Sequence, residues 1–109
     1  MKPIGLYYLS LLDDIRAAGR SMGYAIGLHG TCSRDFDLIA CPWRDDAKSA
    51  EELAEAIAFV TGAAFRPESV TLKPHGRKAW LMFLTPPEWV TGITPMIDLS
   101  VMPRKEPTP

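Results

Sequence analysis

The chain has 109 residues, of which 47% are hydrophobic and 23% charged, and its formal net charge is −1. These values predict one globular domain and exclude a strongly basic nucleic-acid-binding chain. We expect no membrane partner, because no apolar run approaches the roughly 20 residues of a spanning helix. Asp13, Asp14 and Arg16 interrupt any signal-peptide pattern, and Cys32 and Cys41 form no CxxC pair. Both observations favour a cytoplasmic protein with reduced thiols.

Two amphipathic helices are predicted. Apolar residues recur at helical spacing over residues 3–21, and Gly23 is placed to end this helix. Residues 49–62 give the clearest helical pattern, with Ser49 and Glu52 in position to form a capping box. The buried stripe of this second helix is expected to contain Leu53, Ile57 and Val60.

The remaining segments read as strands. Residues 24–30 and 35–43 are joined by a connection too short for a parallel crossover, so they are expected to form an antiparallel hairpin. A second hairpin is predicted over residues 69–84, turning at 74–76, and a last strand lies within 95–103.

Together these elements predict a single α+β domain at residues 1–103, followed by a flexible tail at 104–109. Its sheet is expected to have four or five strands, mostly antiparallel or mixed, with both helices packed on one face.

Three aspartates are the main candidates for chemistry. Asp35 and Asp37 are one residue apart at a strand start, so side-chain alternation places them on one face. Asp98 lies in the apolar stretch "MIDLSVM", where a charge is costly unless it is paired or coordinated. If these strands are neighbours, the three carboxylates converge and suit a hard cation such as Mg²⁺ or Mn²⁺. The alternatives are solvated acids at Asp35 and Asp37 and a hydrogen-bonded strand-end acid at Asp98.

The order "HGT", "DFDLI" and "MIDLSV" resembles a reduced form of the nucleotidyltransferase superfamily, the DNA polymerase beta-like group. The chain is also similar to small uncharacterised phage and prophage proteins that share this pattern. The resemblance implies that Asp35, Asp37 and Asp98 are metal ligands and that Gly30 and Thr31 contact nucleotide phosphates. It further implies that Asp98 is a candidate to deprotonate the attacking hydroxyl.

The resemblance has a specific departure. Only "CSR" separates Gly30-Thr31 from Asp35, where family members usually have about ten residues and a short helix. Without that helix the chain lacks a ready anion site at a helix N-terminus. We also expect no second domain of the kind that many relatives use to hold the nucleotide base and the acceptor, so an active form would need a partner, a homodimer or a small acceptor.

A basic turn supplies further candidates. Lys73, His75 and Arg77 surround the predicted turn of the second hairpin. With Arg34, Lys73 and Arg77 are candidates to bind phosphate. A solvated hairpin turn is the alternative.

Three functions therefore stay open at the level of sequence. The first is a Mg²⁺-dependent nucleotidyltransferase that moves a nucleoside monophosphate from a nucleoside triphosphate to an unknown protein or nucleic-acid acceptor. The second is an inactive nucleotide- or protein-binding module of the same fold. The third is a structural domain in which the acids only cap strands.

Overall fold

A computed structural model describes residues 1–105, and most of the predicted tail therefore lies outside the described residues. Helix α1 spans Pro3–Met22 and helix α2 spans Ala50–Thr61. The strands are β1 (Tyr24–His29), β2 (Phe36–Pro42), β3 (Thr71–Leu72), β4 (Lys78–Phe83) and β5 (Met96–Val101). Among the described residues they form one sheet in the order β1-β2-β5-β4-β3, in which β2 and β5 are parallel and the other neighbours antiparallel. The fold is α+β with a mixed five-stranded sheet, as predicted.

The helix ends follow the expected chemistry. Gly23 ends α1 in a left-handed conformation with φ 88°, which glycine adopts without steric cost. At the start of α2, the Ser49 hydroxyl accepts a hydrogen bond from the Glu52 backbone N–H at 3.1 Å. The Ser49 backbone N–H donates in return to the Glu52 carboxylate at 3.2 Å, which confirms the predicted capping box.

The prediction that Val60 belongs to the buried stripe of α2 is wrong. Leu53 and Ile57 are fully buried, but Val60 is 37% exposed. Val60 lies in the last turn of α2 and faces a groove beside Met22 of α1 instead of the sheet. Two alanines, Ala54 and Ala58, complete the buried stripe, because their small side chains allow a close approach.

The two faces of the sheet differ. Both helices pack on one face, where aromatic and aliphatic side chains form the core. The largest fully buried side chains include Tyr8, Tyr24, Phe36, Leu38, Trp80, Met82, Ile97 and Leu99. On the opposite face, among residues 1–105, no helix covers the strands. We call this the open face; it carries Asp37, Asp98, Leu81 and Phe83, which alternate with core residues along their strands.

The second hairpin turns where predicted, and the Lys73 backbone N–H donates to the Arg77 carbonyl oxygen at 2.8 Å across its turn. Strand β3 has only two residues, because the chain before it follows β4 irregularly. None of the helices in the described part of the chain is long and apolar enough to cross a membrane.

Candidate functional site

The strand register brings two of the predicted aspartates together. Asp37 of β2 is the register partner of Asp98 on the parallel strand β5. The same row continues to His29 on β1 and to Leu81 on β4. Because neighbouring strands lie about 4.8 Å apart and partners in register share a face, the two carboxylates are adjacent on the open face.

Asp35 has a different position. The strand predicted to begin at residue 35 begins at Phe36, so Asp35 precedes β2 and strand alternation does not fix its direction. Asp35 is half-buried. Its charge raises the pKa of the Asp37 carboxyl, though less than burial and Asp98 do, and it also adds to the raised pKa of Tyr8. Asp35 therefore precedes the strand that carries Asp37 and adds negative charge near that carboxyl.

The environment of Asp37 disfavours its ionised form. Burial is the largest cause that raises the pKa of this carboxyl, and the neighbouring Asp98 charge is the second. His29 acts in the opposite direction and lowers it. Burial also raises the pKa of the nearby Cys32 thiol, and Asp37 adds to this effect. A bound cation would relieve the repulsion that Asp37 experiences.

Gly30 is packed against the Asp37 carboxylate. Its φ is 79°, and a Cβ built on it would lie 2.8 Å from Asp37 Oδ2. Only glycine satisfies both the left-handed backbone and this close approach. The adjacent Thr31 is exposed, and its hydroxyl is hydrogen-bonded to the Ser33 hydroxyl at 2.7 Å. The turn therefore places a backbone without a side chain directly beside the carboxylate pair.

Tyr8 of α1 anchors the strand ends that carry the acids. Its hydroxyl donates to the Arg34 carbonyl oxygen at 2.6 Å and accepts from the Met96 backbone N–H at 2.9 Å. Its ring stacks on Phe36 with centroids 4.9 Å apart. Tyr8 thus links the residue before Asp35 to the first residue of β5. The sequence indicates only that Tyr8 lies on the apolar face of a helix, since nothing in it reveals these distant partners.

The three cationic residues predicted to bind phosphate lie in three different parts of the structure. Lys73 lines a cavity on the open face together with Asp98. Arg34 lines a different cavity of about 340 Å³, beside Lys2 at the start of α1. Arg77 lies four residues before Leu81 along β4, a separation of about 13 Å from the strand position opposite Asp98. Of the three cations, Lys73 shares a cavity with Asp98, but its backbone pairs with Arg77, so it lines the end of that cavity away from the acidic pair.

Two side chains of the open face are not among the candidates that the sequence indicates. Arg66 and Phe83 line the same cavity as Lys73 and Asp98. Strand periodicity could have placed Phe83 on the face of Leu81, but Arg66 lies in an irregular segment that has no periodic signal.

Ser100 is a buried polar residue on the same side of β5 as Asp98. It follows Asp98 by two residues and is 8% exposed, and within residues 1–105 its Oγ has no hydrogen-bond partner. Burying an unpaired hydroxyl costs free energy, so Ser100 is a polar group that the fold itself does not use.

The donor chemistry of the pair suits a hard divalent cation. Mg²⁺ is commonly bound by one or two carboxylates together with substrate phosphates, so Asp37 and Asp98 fit this donor set. Within residues 1–105, however, no group of three His, Cys, Asp or Glu side chains is arranged to hold a metal ion. The residues present therefore offer a two-carboxylate site that a phosphate ligand would complete.

Comparison of the chain with protein-family models finds no matching family, and comparison with curated proteins and with solved structures finds no match either. The geometry and chemistry of Asp37, Asp98 and their neighbours are therefore the basis for a functional proposal.

Proposed function

We propose that the protein is a small nucleotidyltransferase-like enzyme that uses Mg²⁺ or Mn²⁺ to transfer a nucleoside monophosphate from a nucleoside triphosphate to an acceptor hydroxyl. The observation that carries this proposal is the pairing of Asp37 with Asp98 on adjacent parallel strands of the open face. The glycine turn packed against Asp37 supports it as well.

Each residue has a role in the proposed reaction. Asp37 and Asp98 hold the cation, which neutralises charge on the phosphate oxygens when bound. Asp98, which also lines the open-face cavity, accepts the proton of the attacking hydroxyl. Backbone N–H groups at Gly30 and Thr31 bind phosphate oxygens. The new bond joins the acceptor oxygen to the α-phosphorus, and pyrophosphate leaves as the bond to the β-phosphate breaks.

Two further residues complete the proposal. Asp35 contributes negative charge at the start of β2, and Lys73, which lines the open-face cavity with Asp98, supplies a cation for a substrate phosphate. The proposal includes a cytoplasmic location, where nucleoside triphosphates are abundant, and a second copy or a partner protein is compatible with it.

A binding module without catalysis is the second candidate. The chain between Gly30 and β2 contains no helix, so the site lacks the N–H groups that a helix N-terminus would direct at a triphosphate. A protein of this kind would bind metal and nucleotide at the same residues without turnover.

Thermal melts with Mn²⁺ or Mg²⁺, with and without nucleoside triphosphate, test both candidates. A ligand that binds the native state at 100 times its Kd adds about 2.7 kcal/mol of stability and raises the Tm by several degrees. We expect this rise for the wild type and not for Asp37→Asn or Asp98→Asn. The control is Asp14→Asn, which removes an exposed carboxylate of α1 and should leave the rise intact.

Pyrophosphate release then separates the two candidates. Release in the presence of metal and triphosphate supports the enzyme, whereas a Tm rise without release supports the binding module. If neither metal alone nor metal with triphosphate raises the Tm of the wild type, both candidates are wrong.

A further inference from the structure

A cavity of about 450 Å³ lies on the open face, beside the acidic pair. Its floor is formed by Leu81 and Phe83 of β4, and Asp98 of β5 borders one side. Arg66 and Lys73 stand on the other side, in the chain that follows the outer edge of β4. We call this space the β4 cavity. Its volume lies within the range of pockets that hold small ligands.

The wall of the β4 cavity is fixed by the fold. The Ala64 backbone N–H donates to the Phe83 carbonyl oxygen at 2.9 Å. Further along, the Trp80 indole N–H donates to the Pro67 carbonyl oxygen at 3.2 Å, and the Phe65 ring meets Trp80 edge-on at 5.9 Å. Because the segment is held by backbone and core contacts, the cavity exists without a ligand to shape it.

The cavity combines three kinds of surface. Leu81 is 50% exposed and Phe83 53% exposed, so an apolar and aromatic floor is open to a ligand. Across the sheet, Asp98 lies about two strand spacings, or about 10 Å, from the wall that carries Arg66; Lys73, which pairs with Arg77, lies about 13 Å further along the strand direction. Arg66 is 3.8 Å from Glu68, but both side chains are largely exposed, and such a pair is too weak to prevent Arg66 from binding an anion.

We propose that the β4 cavity binds a nucleotide unit as the acceptor of the transfer. A ribose hydroxyl lies at Asp98, the base stacks on Phe83 and contacts Leu81, and the 5′-phosphate binds Arg66 and is attracted by the charge of Lys73 at the far end of the cavity. This assignment places an anion, a planar apolar group and a hydroxyl against three matching surfaces. The role given to Asp98 rests on the proposed function, but binding in the cavity requires no metal.

The nucleotide unit has two sources with the same chemistry: a free nucleoside 5′-monophosphate and the 3′-terminal nucleotide of a single strand. The net charge of −1 gives no overall attraction for a polyanion, so the proposal places only the end of a strand at the cavity. A mixed-sequence hexanucleotide with a 5′-fluorescein and a free 3′-hydroxyl, measured by anisotropy in EDTA at low salt, is the first probe. Adenosine, guanosine, cytidine and uridine 5′-monophosphates, as competitors, are the second.

We expect Phe83→Ala to weaken binding of the hexanucleotide about fivefold or more, since base–aromatic stacking contributes on this scale. Lys73→Ala should weaken binding and reduce its dependence on salt. The matched controls are Phe59→Ala, at a phenylalanine of α2 that is 85% exposed, and Lys48→Ala, at an exposed lysine outside the cavity. Both controls should stay within about twofold of the wild type.

The 3′ end gives an independent test. A hexanucleotide with a 3′-phosphate should bind more weakly than one with a 3′-hydroxyl, because it brings a second anion against Asp98. Competition by monophosphates at concentrations close to the Kd of the hexanucleotide shows that one nucleotide unit accounts for binding, and binding of the hexanucleotide without such competition identifies a strand end. If no probe binds below about 1 mM, or if Phe83→Ala binds as tightly as the wild type, the proposal is wrong.

The two proposals fail in different ways. If metal does not raise the Tm of the wild type but the nucleotide probes bind in EDTA, the proposed function is wrong and the β4 cavity remains a nucleotide site. Pyrophosphate release without measurable nucleotide binding in EDTA overturns the cavity assignment alone. Circular dichroism and the Tm of each variant verify folding, and since Phe83 and Lys73 are exposed, both variants are expected to fold.

Discussion

The two faces of the sheet are built from the same strands but differ in burial and in the chemistry of their side chains. On β4, Met82 points to the helices and is fully buried, whereas its neighbour Leu81 points to the open face and is 50% exposed. On β2 and β5, Leu38 and Leu99 pair in the core, and Asp37 and Asp98 pair one residue earlier on the other side. Stability is therefore concentrated on the helix-covered face and the proposed chemistry on the open face, so substitutions should separate the two.

The largest expected effect comes from adjacent residues of β4. Met82→Ala should lower the free energy of unfolding by about 2–5 kcal/mol, because it removes buried methylenes and leaves a cavity in the core. Leu81→Ala should change it by about 0.5 kcal/mol or less, since half of its side chain is already in water. Urea denaturation measures both. Equal losses in the two variants would mean that the open face is buried in solution.

The sequence predicts the parts of this arrangement that depend on neighbouring residues, and it does not predict those that depend on residues far apart in the chain. The capping box of α2 and the alternation in "DFDLIA" and "MIDLSV" are local patterns; they correctly predicted α2 and placed Asp37 and Asp98 each on the side of its strand opposite the buried residues, whereas Asp35 lies before β2. The register between Asp37 and Asp98 is not local, because β5 inserts between β2 and β4, which the chain forms earlier. No periodicity specifies which strand enters the centre of a sheet.

Side chains that act across long separations were missed for a related reason. The two hydrogen bonds of the Tyr8 hydroxyl span 26 and 88 residues. Arg66 reaches the β4 cavity from an irregular segment whose path follows from its pairing at Ala64 and from Trp80. Helical and strand periods describe neither case, so only the folded chain reveals them.

A comparison of two glycines sharpens the assignment of the acidic pair. Gly30 and Gly92 both have φ 79°, but a Cβ at Gly92 would meet nothing within 4 Å, whereas one at Gly30 would lie 2.8 Å from Asp37 Oδ2. Both alanine variants should lose about 1–2 kcal/mol of stability from the left-handed backbone. Only Gly30→Ala should also lose the Tm rise with Mn²⁺, because the Asp37 carboxylate must turn away from the new methyl group.

Thermal melts of the two variants with and without Mn²⁺ make this measurement. If Gly92→Ala loses its metal response as well, the effect of Gly30→Ala comes from general destabilisation, and the contact between Gly30 and Asp37 does not position the ligand.

The smallest expected effect is a gain of stability in Asp37→Asn that depends on pH, whereas the variants above lose stability. The pKa of Asp37 in the folded protein is raised above its ordinary value of 3.8, chiefly by burial and then by Asp98. The folded state therefore binds this proton more tightly than the unfolded state, so the associated stability is fully present below pH 3.8 and is lost as pH rises through the raised pKa. Asp37→Asn carries no titrating proton and avoids this loss.

Urea denaturation in EDTA should accordingly find Asp37→Asn as stable as the wild type near pH 4 and more stable at pH 7. Asp14→Asn should show no such dependence of its stability difference on pH. Saturating Mn²⁺ should reverse the order at pH 7, because the cation binds the wild-type carboxylate and stabilises only the chain that retains it. A loss of stability in Asp37→Asn at pH 7 in EDTA would instead mean that the Asp37 carboxylate maintains the fold, and the division between the two faces would not hold at this residue.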